Sequence, residues 1–127
     1  MTDVTDDLRL SIEHVHGPLA VAAVTGDLDL HTSPVLRARA LEVVQQGHPR
    51  LILDLTDVGF CDSTGLSVLI GIWHTANDAG GSLTLAGVPS RLTRMLAVTG
   101  VDALLPSYPT VSDALAAHTA GPAASTG

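Results

Sequence analysis

Aromatic side chains are scarce in this chain: one Phe, one Tyr and one Trp. Any core must therefore be built from Leu, Val, Ile and Ala. Positive charge is scarce as well. Six basic residues stand against thirteen acidic ones, for a net charge of −7. That argues against a nucleic-acid surface, which needs clustered Lys and Arg to meet phosphates. Cysteine occurs once, at Cys61. An internal disulfide is excluded, and a reducing compartment fits. No apolar run nears the ~20 residues of a membrane span. No basic segment with an apolar run follows Met1, so no signal peptide is expected. These absences together predict a cytoplasmic protein with neither nucleic acid nor membrane as partner.

What is present suffices for one packed domain. Of 127 residues, 46% are hydrophobic and 15% charged, which is too apolar for a disordered chain. Residues 1–7 carry Asp3, Asp6 and Asp7 and read as a flexible, solubilising N-terminus. The domain is expected over residues 8–118, with a disordered small-residue tail over 119–127.

Within the domain, Leu8, Leu10 and Ile12 alternate with polar residues, as in a strand with one buried face. Gly17-Pro18 marks a turn. Leu19 to Val24 is a nearly continuous apolar run, hence a more central strand, and the two strands are expected to form a hairpin. Ser33-Pro34 reads as an N-cap followed by proline at the first helical position. The helix then runs to about Gln46, with Leu36, Ala40 and Val43 on one face. Leu51 to Leu55 suits a strand covered on both faces, and Thr56 to Gly59 a loop. A second helix is expected over 64–79, closed by Gly80-Gly81. Leu83 and Leu85 lie in a short strand. Pro89-Ser90 opens a third helix with Leu92, Met95 and Leu96 inward, ended by Gly100. Leu104-Leu105 is a candidate edge strand, kept short by Pro106 and Pro109. Thr110 to His118 forms a last helix. The order β-β-α-β-α-β-α-(β)-α predicts an α/β fold, a mixed sheet with helices packed on it.

The most informative stretch is Phe60-Cys61-Asp62-Ser63-Thr64-Gly65-Leu66, where an apolar strand hands over to a helix. The first N–H groups of a helix have no intrahelical partner and carry partial positive charge. Asp62 or Ser63 can cap them, or the terminus can receive an anion. Gly65 in the first turn costs ~1 kcal/mol of helix stability against alanine. Close approach by a partner, or by another segment of the chain, would explain it. A phosphoryl group on Ser63 would be tolerated by the fold, because a helix N-terminus favours negative charge by roughly 0.3–1 kcal/mol. In a partly desolvated interface beside carboxylates, its charge of about −1.5 to −2 would oppose association.

The segment from Asp62 to Leu69 resembles the Asp-Ser-(Ser/Thr)-Gly-Leu-Gly-Val motif of STAS domains in bacterial anti-sigma factor antagonists. Gly26-Asp27-Leu28-Asp29 resembles that family's Gly-Glu-(Leu/Ile)-Asp. Ser33 to Arg37, Gly80 to Leu83, Leu92 to Leu96 and Thr99 to Val101 are similar to further segments, in the same order, so the likeness covers about residues 8–118. Asp27 stands where glutamate is commoner, and Ser67, bulkier, where glycine is commoner. The resemblance implies a four- to five-stranded sheet flanked by about four helices. It also implies partner switching: the unphosphorylated antagonist binds an anti-sigma factor that is also a protein serine kinase, and the sigma factor is released. The kinase then phosphorylates the antagonist with ATP, which ends the association, and a phosphatase restores it. By motif position the phosphoacceptor is Ser63. Its surroundings are Asp29, Asp62, Thr64, Gly65 and Leu66, with Thr64 the lesser acceptor.

Other chemistries find less support. His14 and His16 point the same way if their segment is extended, but no third metal ligand is evident. Cys61 lacks the arginine six residues on that a phosphatase loop needs, and reads as a small apolar side chain. No Gly-x-Ser-x-Gly elbow surrounds Ser63 and no phosphate-binding glycine loop ends in Lys-Ser/Thr. A non-enzymatic regulator without a cofactor is expected. The alternative keeps the fold without the switch, as a STAS subunit or scaffold of a transporter or lipid-trafficking complex. A small enzyme using Ser63 or an Asp lacks an acid/base constellation.

Overall fold

A computed structural model describes residues 8–126, with side chains described for 8–118. The flexible segment expected over residues 1–7 lies outside the described residues. The chain runs β1 (Leu8–His16), β2 (Leu19–Leu28), α1 (Ser33–Gln45), β3 (Arg50–Cys61), α2 (Ser63–Asp78), β4 (Ser82–Ala86), α3 (Ser90–Thr99), a 3-10 turn (Val101–Ala103), β5 (Ser107–Tyr108) and α4 (Val111–Thr126). All five strands join one sheet in chain order. β1 and β2 are antiparallel, as expected of a hairpin, and the other pairs are parallel. This is the predicted α/β architecture with a mixed sheet.

Strand alternation divides the apolar residues between two faces. Ala20, Ala22 and Val24 of β2, Leu51, Leu53 and Leu55 of β3, and Leu83 and Leu85 of β4 point to one face. There they pack with Leu36, Ala40 and Val43 of α1, Leu66, Leu69 and Ile72 of α2, and Leu92 and Leu96 of α3. The opposite face carries Leu19, Val21, Ile52 and Ala86, covered by Ala114, Val111 and Leu115 of α4 and by Tyr108. Both faces of β3 are thus buried, as its unbroken aliphatic run required. Among the described residues no helix is long and apolar enough to cross a membrane.

Four expectations need correction. Thr56 to Gly59 is not a loop, because β3 continues to Cys61. The β2–β3 ladder shifts register between Ala23 and Thr25, and again between Gly26 and Asp27. Each shift places an extra residue in β3, so the inward positions move from Leu55 to Val58 and then to Cys61. A bulge breaks the period-two pattern and so imitates a loop. Leu104-Leu105 is not a strand either; β5 is Ser107–Tyr108, paired with Leu85 and Ala86. The bracketing prolines are compatible with this because the ladder uses carbonyls: Leu85 N–H donates to Pro106 and Gly87 N–H to Tyr108. Ile12 is 46% exposed rather than buried. It lies on the sheet's edge strand, just before a further register shift. Finally, α4 runs past His118, where the pattern ended it, to Thr126.

His118 fastens α4 to the sheet. Arg50 Nη2 lies 3.1 Å from His118 Nδ1, and Thr84 Oγ1 2.9 Å from Nε2. A guanidinium can only donate, so Nδ1 must accept and Nε2–H must donate to Thr84. Burial pushes the His118 pKa below its ordinary 6.5, and the Arg50 charge pushes it further the same way. The fold therefore holds the neutral ring. Its contribution to stability is present above the unfolded pKa and is lost as pH falls through the lowered folded value. Thermal melts at about pH 8 and about pH 5 should show the wild type losing more stability on acidification than His118→Gln. An equal loss in both would remove this role.

Candidate functional site

The site is built where β2 and β3 end side by side. Leu28 pairs with Cys61, and the Asp62 N–H donates to the Leu28 carbonyl at 3.2 Å. One residue further on each strand stand Asp29 and Asp62. The two segments that carry the expected site residues are therefore brought together by the ladder itself.

Asp62 is the N-cap of α2. Its backbone is extended, and its carboxylate accepts from Gly65 N–H at 3.0 Å. Its carbonyl accepts the first intrahelical bond, from Leu66 N–H at 3.0 Å. Such a cap stabilises by ~1 kcal/mol. The choice between Asp62 and Ser63 as cap is thereby decided for Asp62. Ser63 becomes the first helical residue, and its side chain is exposed. Its amide and that of Thr64 precede the first intrahelical bond, so they belong to the electropositive end of α2. Thr64 is half-buried, and Gly65 and Leu66 are buried, Leu66 within the core.

Gly65 owes its identity to an internal contact. A Cβ there would lie 2.8 Å from the Leu28 carbonyl oxygen, 2.8 Å from Leu28 Cγ and 2.9 Å from Cys61 Sγ. The close approach that the sequence left open is made by the end of β2. This contact presses the first turn of α2 onto the strand pair and turns Ser63 outward.

Asp29 sits in a second knot of hydrogen bonds. Its Oδ1 accepts from the His31 and Thr32 amides at 2.9 and 3.0 Å. The Thr32 hydroxyl in turn accepts from Asp29 N–H at 2.9 Å and donates to the Asp27 carbonyl at 2.7 Å. The Thr32 amide is the main reason the Asp29 carboxyl is held below its usual range; the His31 amide and the Thr32 hydroxyl add to this, and partial burial opposes it. Thr32, buried at the N-cap of α1, is a residue the sequence reading missed. Ser33 was expected in that place, but it lies inside the helix with its hydroxyl buried and without a partner among the described residues. The Asp-x-x-Thr spacing from Asp29 was the available signal, since an Asp side chain closes such turns on amides two and three residues ahead.

Three carboxylates, Asp27, Asp29 and Asp62, each stand next in sequence to the last β2–β3 ladder pair, Leu28–Cys61. Cys61 is half-buried, and burial, with the Asp62 charge adding, pushes its thiol up to about 11. It stays protonated at neutral pH and packs against the core as a small apolar group. Among the described residues no group of three or more His, Cys, Asp or Glu is arranged to hold a metal. The His14 and His16 rings do lie on the same side of β1, with centroids 6.5 Å apart.

The chain carrying this arrangement matches a known domain over most of its length. The family model of the STAS domain matches residues 9–114. This chain belongs to the STAS family. The anti-sigma F factor antagonist of Paenibacillus polymyxa is 32% identical over 110 residues, covering 86% of this chain and 93% of that protein. The crystal structure of an anti-sigma factor antagonist from Mycobacterium paratuberculosis superposes with a TM-score of 0.78 at 30% identity, covering 91% of this STAS chain and 97% of the other. The Bacillus cell fate determinant SpoIIAA, solved in its phosphorylated form, shares the STAS fold with a TM-score of 0.66 at 20% identity, covering 84% and 96% of the two chains.

Proposed function

We propose that this STAS protein is an anti-sigma factor antagonist switched by phosphorylation of Ser63. Unphosphorylated, it binds an anti-sigma factor that is also a protein serine kinase, and the sigma factor goes free. The kinase transfers the γ-phosphoryl group of its ATP to the Ser63 hydroxyl, and the complex dissociates. A phosphatase removes the group and resets the cycle. The protein itself supplies no catalytic residue and holds no cofactor.

The observation that carries this reading is the position of Ser63. Its side chain is exposed, while the backbone on both sides is fixed by the Asp62 cap and by the packing of Gly65 on Leu28. A kinase can reach the hydroxyl, and the fold has no need of it. Thr64 is half-buried and so a poorer acceptor. Asp29 and Asp62 supply the negative surroundings in which an added phosphate works against a docked partner. Gly65 and Leu66 hold the turn from beneath.

Incubation with the partner kinase and ATP tests the assignment, read by intact mass and peptide mapping. One phosphoryl group is expected, on Ser63. A phosphate mapping to Thr64 or elsewhere, with Ser63 unmodified, would overturn it.

A further inference from the structure

Beside the switch, β3 projects beyond the sheet. Its ladder with β4 stops at Asp54 and Ala86, whereas its ladder with β2 continues to Leu28 and Cys61. From Asp57 to Cys61 it therefore has a strand neighbour on one side only. The other side faces α3 across an apolar cleft of about 140 Å³, lined by Val58, Phe60, Cys61, Leu92 and Met95 with Arg91 at its rim. That is room for one aliphatic side chain. Phe60 is 47% exposed there, although it is the chain's one phenylalanine.

The charge beside the cleft is the reverse of the chain's. Arg91 also lines an adjoining hollow of about 250 Å³ with Arg94 and Ser90. These are two of only six basic residues in a protein of net charge −7. Elsewhere, Arg50 is engaged by His118 and Arg39 by Glu42. Among the described residues neither Arg91 nor Arg94 has a carboxylate within ion-pair distance, and both are exposed.

We propose that the cleft between the free edge of β3 and α3 docks an extended acidic segment of a partner protein, with one aliphatic side chain in the cleft and flanking carboxylates on Arg91 and Arg94. The strand edge supplies backbone hydrogen bonds, the cleft an anchor and the arginines a sign preference. The cleft ends at Cys61, two residues from Ser63, so it adds a second point of contact for the partner proposed above and to that extent rests on that reading.

The test does not depend on the switch. The full chain, isotope-labelled for NMR, is titrated with a synthetic peptide of glutamate and serine carrying one central leucine. Saturable shifts are expected at the amides of Val58 to Cys61 and Arg91 to Met95. Affinity should fall ~tenfold or more when lysine replaces the glutamates, or serine the leucine. The double variant Arg91→Glu/Arg94→Glu should reverse the preference toward the lysine peptide. The titration requires neither kinase nor phosphate on Ser63, so a failed cleft and a failed switch are read separately. Shifts confined to another surface, none at all, or equal affinity for both peptides would overturn the proposal. So would peptide-free, concentration-dependent shifts of the same amides, which would make the occupant a second copy of this chain.

Discussion

Ser63→Glu is expected to weaken binding of the anti-sigma factor kinase by ~100-fold or more and to leave the fold intact. The two halves have different causes. In the free protein the new carboxylate sits at the first position of α2, beside amides without intrahelical partners. A negative charge there stabilises by roughly 0.3–1 kcal/mol. Ser63 is exposed, so nothing has to move to make room. In the proposed complex the same charge would enter a partly desolvated surface with the Asp29 and Asp62 carboxylates. Several kcal/mol of opposition is the expected scale there, and about 1.4 kcal/mol is tenfold in affinity. The helix-terminus gain is too small to offset it. Ser63→Ala should bind as the wild type does and take no phosphate. Titration calorimetry with the purified kinase reads the affinities, and circular dichroism melting reads the fold. Equal affinity of the glutamate variant would remove the electrostatic switch. A collapse of its melting temperature would make any loss of binding uninformative about charge, and the phosphorylated wild type would then decide.

Gly65→Ala should destabilise the protein by ~1–3 kcal/mol, although alanine is the better helix former. Intrinsic propensity favours the substitution by ~1 kcal/mol in a helix interior, and less at this terminal position. Against it stands a Cβ 2.8 Å from the Leu28 carbonyl oxygen and 2.9 Å from Cys61 Sγ. Leu28 Cγ could rotate away, but the carbonyl cannot: it accepts from Asp62 N–H and ends the β2–β3 ladder. Relief therefore requires α2 to lift off the strand pair, which moves Ser63 with it. Denaturant unfolding should show a lower midpoint with an unchanged slope. The phosphorylation rate should fall as well, because the acceptor is displaced. Gly71→Ala is the control. It lies in the same helix with open space around its would-be Cβ, so it should be neutral or slightly stabilising. Gly65→Ala behaving like Gly71→Ala would mean that the contact with Leu28 does not constrain the turn.

Much of this molecule was legible in its sequence because the signals are local. Hydrophobic patterning placed the start of each of the three longer strands, and both ends of the first three helices, to within a residue or so. Aliphatic continuity marked β3 as covered on both faces. The order of elements predicted a mixed sheet, and the Asp-Ser-Thr-Gly segment marked the junction that matters. These features depend on side-chain direction along one segment, which residue order alone dictates. The failures share the opposite property. The bulges that carry β3 to Cys61 exist only against β2, and they hid a strand behind a broken pattern. The two residues of β5 are a strand only because the Leu85 and Gly87 N–H groups donate to the Pro106 and Tyr108 carbonyls. Thr32 displaced Ser33 as cap through bonds to Asp27 and Asp29. His118 became an anchor by meeting Arg50 and Thr84, which lie far away in the chain.

For the proposed site, the sequence named the candidates: two adjacent hydroxyls, two carboxylates, one of them a possible cap, and a glycine. Tertiary structure alone decided which hydroxyl faces outward and why the glycine is required. It also set the cleft of α3 against the free edge of β3. The reason is that exposure and close approach are relations between segments. Only the packing of the helices on the sheet sets the distances on which they depend.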